Sequence, residues 1–453
     1  MKRGARSGLV LAILWVALAA PAMAGWQPLA EPAPAFASWD GREVGAGARN
    51  PVLDVPAQPL RGAWLRFSGD VDPAASGMQF LLTAFENDAM STRSVPTLCV
   101  PRGPSRARCS SVLWVPPQAT RVRLVVWAAQ APGHIQDVQL EMAAGRSAVE
   151  QPHAGVEQLL GLVQERYYRS DEVDWPALRA QFDAIPAPPA DVDPLPTMAQ
   201  LLRDRLPGNR HTSIRLADDI HVPASDIELP TCRQATPDVW VLRLPGALFT
   251  APSAVQRYVR TAHRCMRNVP VEARWIVDLR GNGGGNMLPM LASIEEFFPP
   301  GPLLTFLDGR RRSTGLVSLA RTGIVQDGRV AVAYPTRPGR RRAAPVGVLM
   351  NSNCGSSCEV VVVSFLGRPR TRLFGQATAG LTTGNVPHPL GEHYSLLLTE
   401  GYMADRCGLA VPERIAPDVA LDPGDEAAAI AQVRAMPSTS ARNKPTCPLG
   451  PRE

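Results

Sequence analysis

Three regimes of hydrophobic patterning succeed one another along the chain. Between residues 64 and 143, apolar and polar positions alternate in short runs: WLRFSGDV (64–71), MQFLLTAFE (78–86), SVLWV (111–115), TRVRLVVWAA (120–129) and IQDVQLEMA (135–143). Runs of this length, separated by turn residues, predict the strands of an all-β sandwich. From residue 150 to 205 the spacing becomes helical, in LLGLVQERYY (159–168), WPALRAQFDAI (175–185) and MAQLLRDRL (198–206), and Pro176 suits a first helical turn. From 238 onward the strands VWVLRL (239–244), WIVDL (275–279), VGVLMN (346–351) and TRLFG (371–375) alternate with the helices SAVQRYVRTAHRCM (253–266), MLPMLASIEEFF (287–298) and SSCEVVVVSFL (356–366). Such alternation implies crossover units and an α/β or mixed sheet.

The start of the chain reads as an address rather than as part of the fold. Lys2, Arg3 and Arg6 precede an apolar run of 13 residues, Gly8 to Ala20, and Ala22-Met23-Ala24 forms a small-x-small site. That is the three-part layout of a secretory signal peptide, and the run is shorter than the ~20 residues that span a bilayer. The expected organisation is therefore a signal peptide (1–24), a β-sandwich accessory domain (25–148), a helical subdomain (149–216), an α/β core (217–435) and a tail (436–453). The product is expected in the periplasm or outside the cell, without stable membrane insertion.

Composition narrows the chemistry. The 45 prolines among 453 residues, about twice the usual ~5% share, argue against a helical bundle or coiled coil. Of 47 basic residues only Lys2 and Lys444 are lysine, so a mechanism that needs a buried lysine has almost nowhere to go. The net charge of +6 falls to +3 once residues 1–24 are removed; residues 310–342 hold nine Arg and one Asp, which leaves the remainder at −5. A charge so spread, with no binding motif, gives no reason to expect nucleic acid as a partner. The arginine-rich stretch reads as a solvated loop joining the helix that ends near Phe298 to the strand at Val346. Eight cysteines in an exported chain suggest disulfides. Cys99 and Cys109 flank a turn-rich polar loop and are the expected pair; the spacings do not form the two close Cys/His pairs of a zinc site, so no metal or cofactor is expected.

Three turns carry the candidate chemistry. DLRGNGGG (278–285) follows an apolar strand and opens a helix, and its glycines let backbone approach another group closely. NSNCGSSCE (351–359) sits between a strand and an apolar helix, where a serine either caps the helix or is exposed as a nucleophile beside N–H groups suited to an oxyanion. His211, in LPGNRHTSIRL (206–216), follows a helix and opens a strand.

In chain order, with the His211 turn first, DLRGNGGG next and the serine turn last, the three resemble the tail-specific or C-terminal processing serine peptidase family, which includes the tricorn-core and interphotoreceptor retinoid-binding branches. The resemblance runs from about Val156 to Val419 and rests chiefly on DLRGNGGG, with support from VDWPALRAQF (173–182) and IAPDVAL (415–421). The segment before the histidine that supports it begins with Tyr167-Tyr168 and runs to Phe182. The resemblance implies a crotonase-like or ClpP-like α/β core. The serine three positions before the helix glutamate Glu359 is the implied nucleophile, which selects Ser356. The N–H groups of Gly284 and Ser357 are the implied oxyanion hole. One branch uses a lysine base 25 positions after the serine; here that position is Leu381. The tricorn-like branch uses a histidine, and His211 matches it. An acid late in the chain would orient the imidazole, with Glu413 and Glu400 both available. The roughly 20 residues between the His211 strand and the next segment leave no room for a PDZ module. Further upstream, residues 115–142 resemble the last strands of galactose-binding-like sandwiches. The implied function is an exported serine-type hydrolase, a peptidase acting on a peptide or protein. The alternative is a catalytically inactive member of the same fold that binds a hydrophobic small molecule or peptide.

Overall fold

A computed structural model describes residues 25–29, 41–47, 49–72, 77–129, 131–144, 154–217, 227–334 and 341–437. The expected signal peptide (1–24), and the tail from residue 438, lie outside the described residues. The chain divides into two compact units: residues 1–91, 99–152 and 183–193 form one, and 92–98, 153–182 and 194–453 the other. The helices expected as a subdomain of their own belong, apart from 183–193, to the same unit as the α/β core.

The first unit is built from antiparallel strands. Gly133–Ala144, Ala63–Asp72 and Ala107–Trp114 are neighbours in one sheet, and Asn50–Pro56, Arg121–Ala128 and Met78–Glu86 in another. In Arg121–Ala128 every second residue (Val122, Leu124, Val126 and Ala128) is buried, as a period of two demands when one face of a strand meets a core. These residues share a core with Leu65, Phe67, Phe80 and Leu113. The Cys99–Cys109 disulfide links residues ten apart.

The second unit contains a six-stranded sheet in the order β1 (Thr231–Thr236), β2 (Val239–Arg243), β3 (Arg274–Asp278), β4 (Val346–Met350), β5 (Thr371–Gly375) and β6 (Val419–Ala420). All neighbours are parallel except β1 and β2. Helices α1 (Pro252–Met266), α2 (Met287–Ser293) and α3 (Ser357–Phe365) pack with Leu242, Trp275, Val277, Val346 and Val348 in the main core. The alternate residues Val241, Ile276, Leu349 and Phe374 face the other way, onto Ala429 and Val433 of α4 (Glu426–Ala435). A sheet buried on both faces explains why these strands read as nearly continuous apolar runs.

A further antiparallel sheet contains Ser213–Leu216, the long strand Tyr394–Asp405, its hairpin partner Thr383–Leu390, and Gly301–Leu307. It also absorbs much of the arginine-rich stretch. Instead of a solvated loop, Ser313–Leu319, Gly323–Gln326 and Arg329–Ala333 form successive antiparallel strands. Val317, Ile324 and Val332 point into the core. Charge had obscured an apolar period of two. Arg342, at the end of the stretch, is buried: its guanidinium meets the Glu296 carboxylate at 2.6 Å and donates to the carbonyls of Met266, Val269 and Pro270.

Candidate active site

The C-terminal ends of parallel strands in an open α/β sheet are where side chains can converge on a ligand. Here β3 and β4 are parallel neighbours, and the two turns of interest leave their C-terminal ends. After β3, the buried Asn282 organises the glycine turn. Its amide nitrogen donates to the Leu244 carbonyl, and its side-chain oxygen accepts the Gly284 N–H at 2.9 Å. Gly284 has φ +102°, and a Cβ there would lie 2.7 Å from the Gly355 oxygen and 3.1 Å from the Ser357 nitrogen. Glycine is thus required for the two turns to touch.

After β4 the chain turns sharply into α3. Ser356 sits at φ +55°, ψ −118°, at the N-cap position of the helix. Its own N–H is held by Glu359 Oε2 at 2.9 Å. The Glu359 carboxylate is fully buried, and also accepts from the N–H groups of Gly380 (3.0 Å) and Leu381 (2.8 Å). Burial pushes the Glu359 pKa up, and these hydrogen bonds oppose that effect. One carboxylate therefore ties the serine turn to the segment that leads to Thr383.

His211 reaches the serine from a distant part of the chain. Its Nε2 lies 3.0 Å from Ser356 Oγ, and its Nδ1 lies 2.7 Å from Thr383 Oγ1. The neighbouring backbone is fixed as well. The His211 carbonyl accepts from the Asn385 amide, the buried Thr212 hydroxyl bonds Thr399, and Arg203 donates to the Thr212 carbonyl. Burial, with a smaller contribution from the positive Arg215, lowers the His211 pKa from 6.5 to about 4. The imidazole is therefore neutral at neutral pH.

Two sequence expectations are corrected by this geometry. The late-chain acids do not orient the imidazole. Glu413 is largely exposed and pairs with Arg210 at 2.9 Å; Glu400 pairs with His388 at 2.6 Å. The group on Nδ1 is Thr383, brought there because the Thr383–Leu390 strand pairs with the same long strand as Ser213–Leu216. Nor is the Gly284 N–H free for an oxyanion, since Asn282 takes it. Among the described residues, no acceptor takes the N–H of Ser357 or of Gly285. The Gly284 carbonyl accepts from Ala247 at 3.0 Å, so the antiparallel N–H of the same peptide, that of Gly285, points away from Ala247. Thr383 had left no signal in the sequence beyond its place in a glycine- and threonine-rich turn. Asn282 was visible as the only polar side chain within GNGGG.

Ser356, Ser357, Gly285, His211 and Thr383 line one cavity of about 500 Å³. Leu248, Met287, Val360 and Leu381 give it an apolar wall, while Arg215, Asp327 and Glu400 supply charge. Residues 241–421 match the family model described as peptidase family S41. The chain carries an S41 peptidase domain. This agrees with the resemblance to C-terminal processing peptidases, and the domain spans β2 to β6. A 131-residue stretch is 31% identical to the nisin-resistance protein of Lactococcus lactis subsp. lactis, covering 29% of this chain and 40% of that protein's length. In fold, the chain is similar to a lipoprotein from Streptococcus agalactiae, with a TM-score of 0.52 at 21% identity over 62% of this chain and 95% of the other. The photosystem II D1 C-terminal processing protease matches at a TM-score of 0.30 with 19% identity, covering 47% of this chain and 48% of that one, a likeness too slight to bear on the fold.

Proposed function

We propose that the chain is an exported serine-type peptidase, with Ser356 as nucleophile and His211 as general base and then acid. The observation that carries this reading is the 3.0 Å approach of His211 Nε2 to Ser356 Oγ across 145 positions of sequence. Neutral imidazole accepts the hydroxyl proton on Nε2 as Oγ bonds to the scissile carbonyl carbon. Nδ1–H donates to Thr383 Oγ1 throughout, which fixes the tautomer. The carbonyl oxygen becomes negative and is met by the N–H groups of Ser357 and Gly285, the first of these at the start of α3. His211 then returns the proton to the leaving amine. A water, deprotonated by the same nitrogen, hydrolyses the acyl-enzyme.

Among the described residues no carboxylate stands behind this histidine, so the imidazolium formed in each step is stabilised only by a hydroxyl. Burial and the positive Arg215 lower the His211 pKa, and no carboxylate among the described residues offsets them. The apolar wall of the cavity favours a peptide with an apolar side chain next to the cleaved bond. Export is supported by the basic, apolar and small-x-small order of residues 1–24 and by disulfides within the chain. The likeness to a protein titled a lipoprotein adds to it. Among the described residues no helix is long and apolar enough to cross a membrane. On the same reading, the first unit is a galactose-binding-like accessory domain and the S41 core is crotonase-like.

The test is labelling with a fluorophosphonate probe, which modifies an activated serine. Wild-type protein is expected to label and Ser356→Ala to stay dark. Folded wild-type protein that does not label would move the reading to a non-catalytic binding protein.

A further inference from the structure

We propose that the Cys354–Cys358 disulfide is a positioning device for the nucleophile, a covalent strap that keeps Ser356 in a backbone conformation serine does not otherwise hold. The proposal rests on the reading of Ser356 as the nucleophile. The bond joins the residue two before Ser356 to the residue two after it, with the Cα atoms 5.3 Å apart.

The backbone shows what the strap encloses. Gly355 to Cys358 form a four-residue turn closed by the Cys358 N–H on the Gly355 carbonyl at 3.1 Å. Ser356 is its second residue. A φ of +55° with ψ −118° is the geometry of that position in a type II′ turn, which glycine normally fills. It lies outside the left-handed helical basin, where asparagine and aspartate are tolerated. A serine left to itself would relax towards negative φ and carry Oγ away from His211. Relaxation requires the two ends of the turn to shift relative to each other, and the disulfide forbids that shift.

The ends are themselves anchored. The Cys354 N–H donates to the Asn351 carbonyl at 2.9 Å, and the Cys354 carbonyl accepts from Ala379 at 2.8 Å. Cys358 belongs to the first turn of α3, one residue before Glu359. Neither a general stabilising role nor a switching role fits the bond as well. As a stability element it closes a separation of only four residues, against 10 and 33 for the other described pairs, and short loops gain least from cross-linking the unfolded chain. As a reversible switch it is poorly placed, because Cys354 and Cys358 are both fully buried and thiol exchange needs access.

The experiment compares wild type with C354A/C358A, with the volume-retaining C354A/C358V, and with the control C232A/C265A, which removes a disulfide elsewhere in the same unit. Fluorophosphonate labelling rate, peptide kcat and KM, and the melting temperature are measured for each. The strap predicts that labelling rate and kcat fall together by ~10–100-fold in both 354/358 variants while they remain folded, the effect expected of a reacting atom misplaced by about 1 Å. KM should be nearly unchanged. The control should label at the wild-type rate per folded molecule whatever its melting temperature. Folded 354/358 variants that label at the wild-type rate overturn the proposal. Loss of the fold in both also overturns it, by assigning the bond to stability. A wild-type protein that does not label removes the peptidase reading itself, an outcome distinct from either.

Discussion

The turns after β3 and β4 leave neighbouring parallel strands, and each contains backbone that L side chains avoid. After β3 the positive φ values fall on glycines, at 281, 284 and 285. There the conformation comes at little enthalpic cost, and two asparagine side chains, Asn282 on the Gly284 N–H and Asn351 on the Gly281 N–H, organise it. After β4 the positive φ falls on Ser356, which as the proposed nucleophile must keep its hydroxyl. That conformation costs about 1–3 kcal/mol, and the surroundings supply a buried glutamate, a turn hydrogen bond and a disulfide to hold it. Where the chemistry needs only backbone, the chain uses glycine. Where it needs a side chain in a glycine-like conformation, the chain builds a clamp.

The sharpest way to break this contrast is Gly284→Ala. The added Cβ would meet backbone atoms of the serine turn at 2.7 and 3.1 Å, at a φ of +102°. These are backbone contacts with no flexible side chain to move aside. Serine labelling should fall by at least ~10²-fold, with a lower melting temperature. A variant with wild-type labelling would show that the two turns need not touch.

Thr383 tests the histidine side of the site. Thr383→Val removes the acceptor on Nδ1, and kcat should drop by about 10–100-fold as the ring loses its fixed tautomer. Thr383→Asp should act differently, because a carboxylate favours the charged ring. The acid limb of kcat/KM, expected near pH 4 in wild type with His211 as the base, should move up towards the ordinary histidine range. A limb that stays put would mean that His211 does not set it. The same shift has a sign for stability. The folded pKa lies below that of the unfolded chain, so the unfolded chain binds the proton first. Stability contributed by neutral His211 is complete above about pH 6.5 and is lost as pH falls towards 4. Chemical denaturation of His211→Phe against wild type at pH 7 and pH 5 should show the wild type losing more.

Glu359→Gln keeps the shape of the clamp and removes its charge. Three backbone N–H groups now share the carboxylate, and a glutamine would turn its NH₂ towards at least one of them. A loss of about 1–3 kcal/mol in stability is expected, with a smaller fall in labelling rate than for Thr383→Val. Denaturant melts and labelling on the same samples separate the two effects. Gly281→Ala should matter least. Its φ is +76° but nothing lies within 4 Å of an added Cβ, so the expected cost is ~1 kcal/mol of strain with kcat unchanged. A large loss of activity here would extend the reacting geometry back to the start of the glycine turn.

Much of this was legible in the sequence, for identifiable reasons. The strand at 120–129 and the helix at 253–266 carry their periods openly, because each buries one face or one stripe against a core, and the strand at 275–279 shows as an apolar run because both its faces are buried. The three turns stood out because glycine clusters and a serine between strand and helix are rare in ordinary loops. The arginine-rich strands are hidden in the sequence because charge outweighs the few core positions, among them Val317, Ile324 and Val332, one from each strand. The group on Nδ1 is hidden because it is a hydroxyl rather than a carboxylate. Threonine is too common for its residue type alone to mark Thr383.

The division follows the range of the forces involved. Local steric preference and hydrophobic periodicity act over a few residues, so the sequence alone determined the strand–turn–helix units and the glycine turn; the family resemblance added Ser356 and, with no usable lysine, His211 as the candidates for nucleophile and base. Which donor and which acceptor meet was decided only by tertiary structure. The pairing of the 213–216 and 383–390 strands to one long neighbour puts His211 on Thr383. Burial sets the proton affinity of the imidazole. His211 meets Ser356 across 145 positions and Thr383 across 172, and these contacts depend on sheet register, which the sequence near Thr383 does not encode by itself.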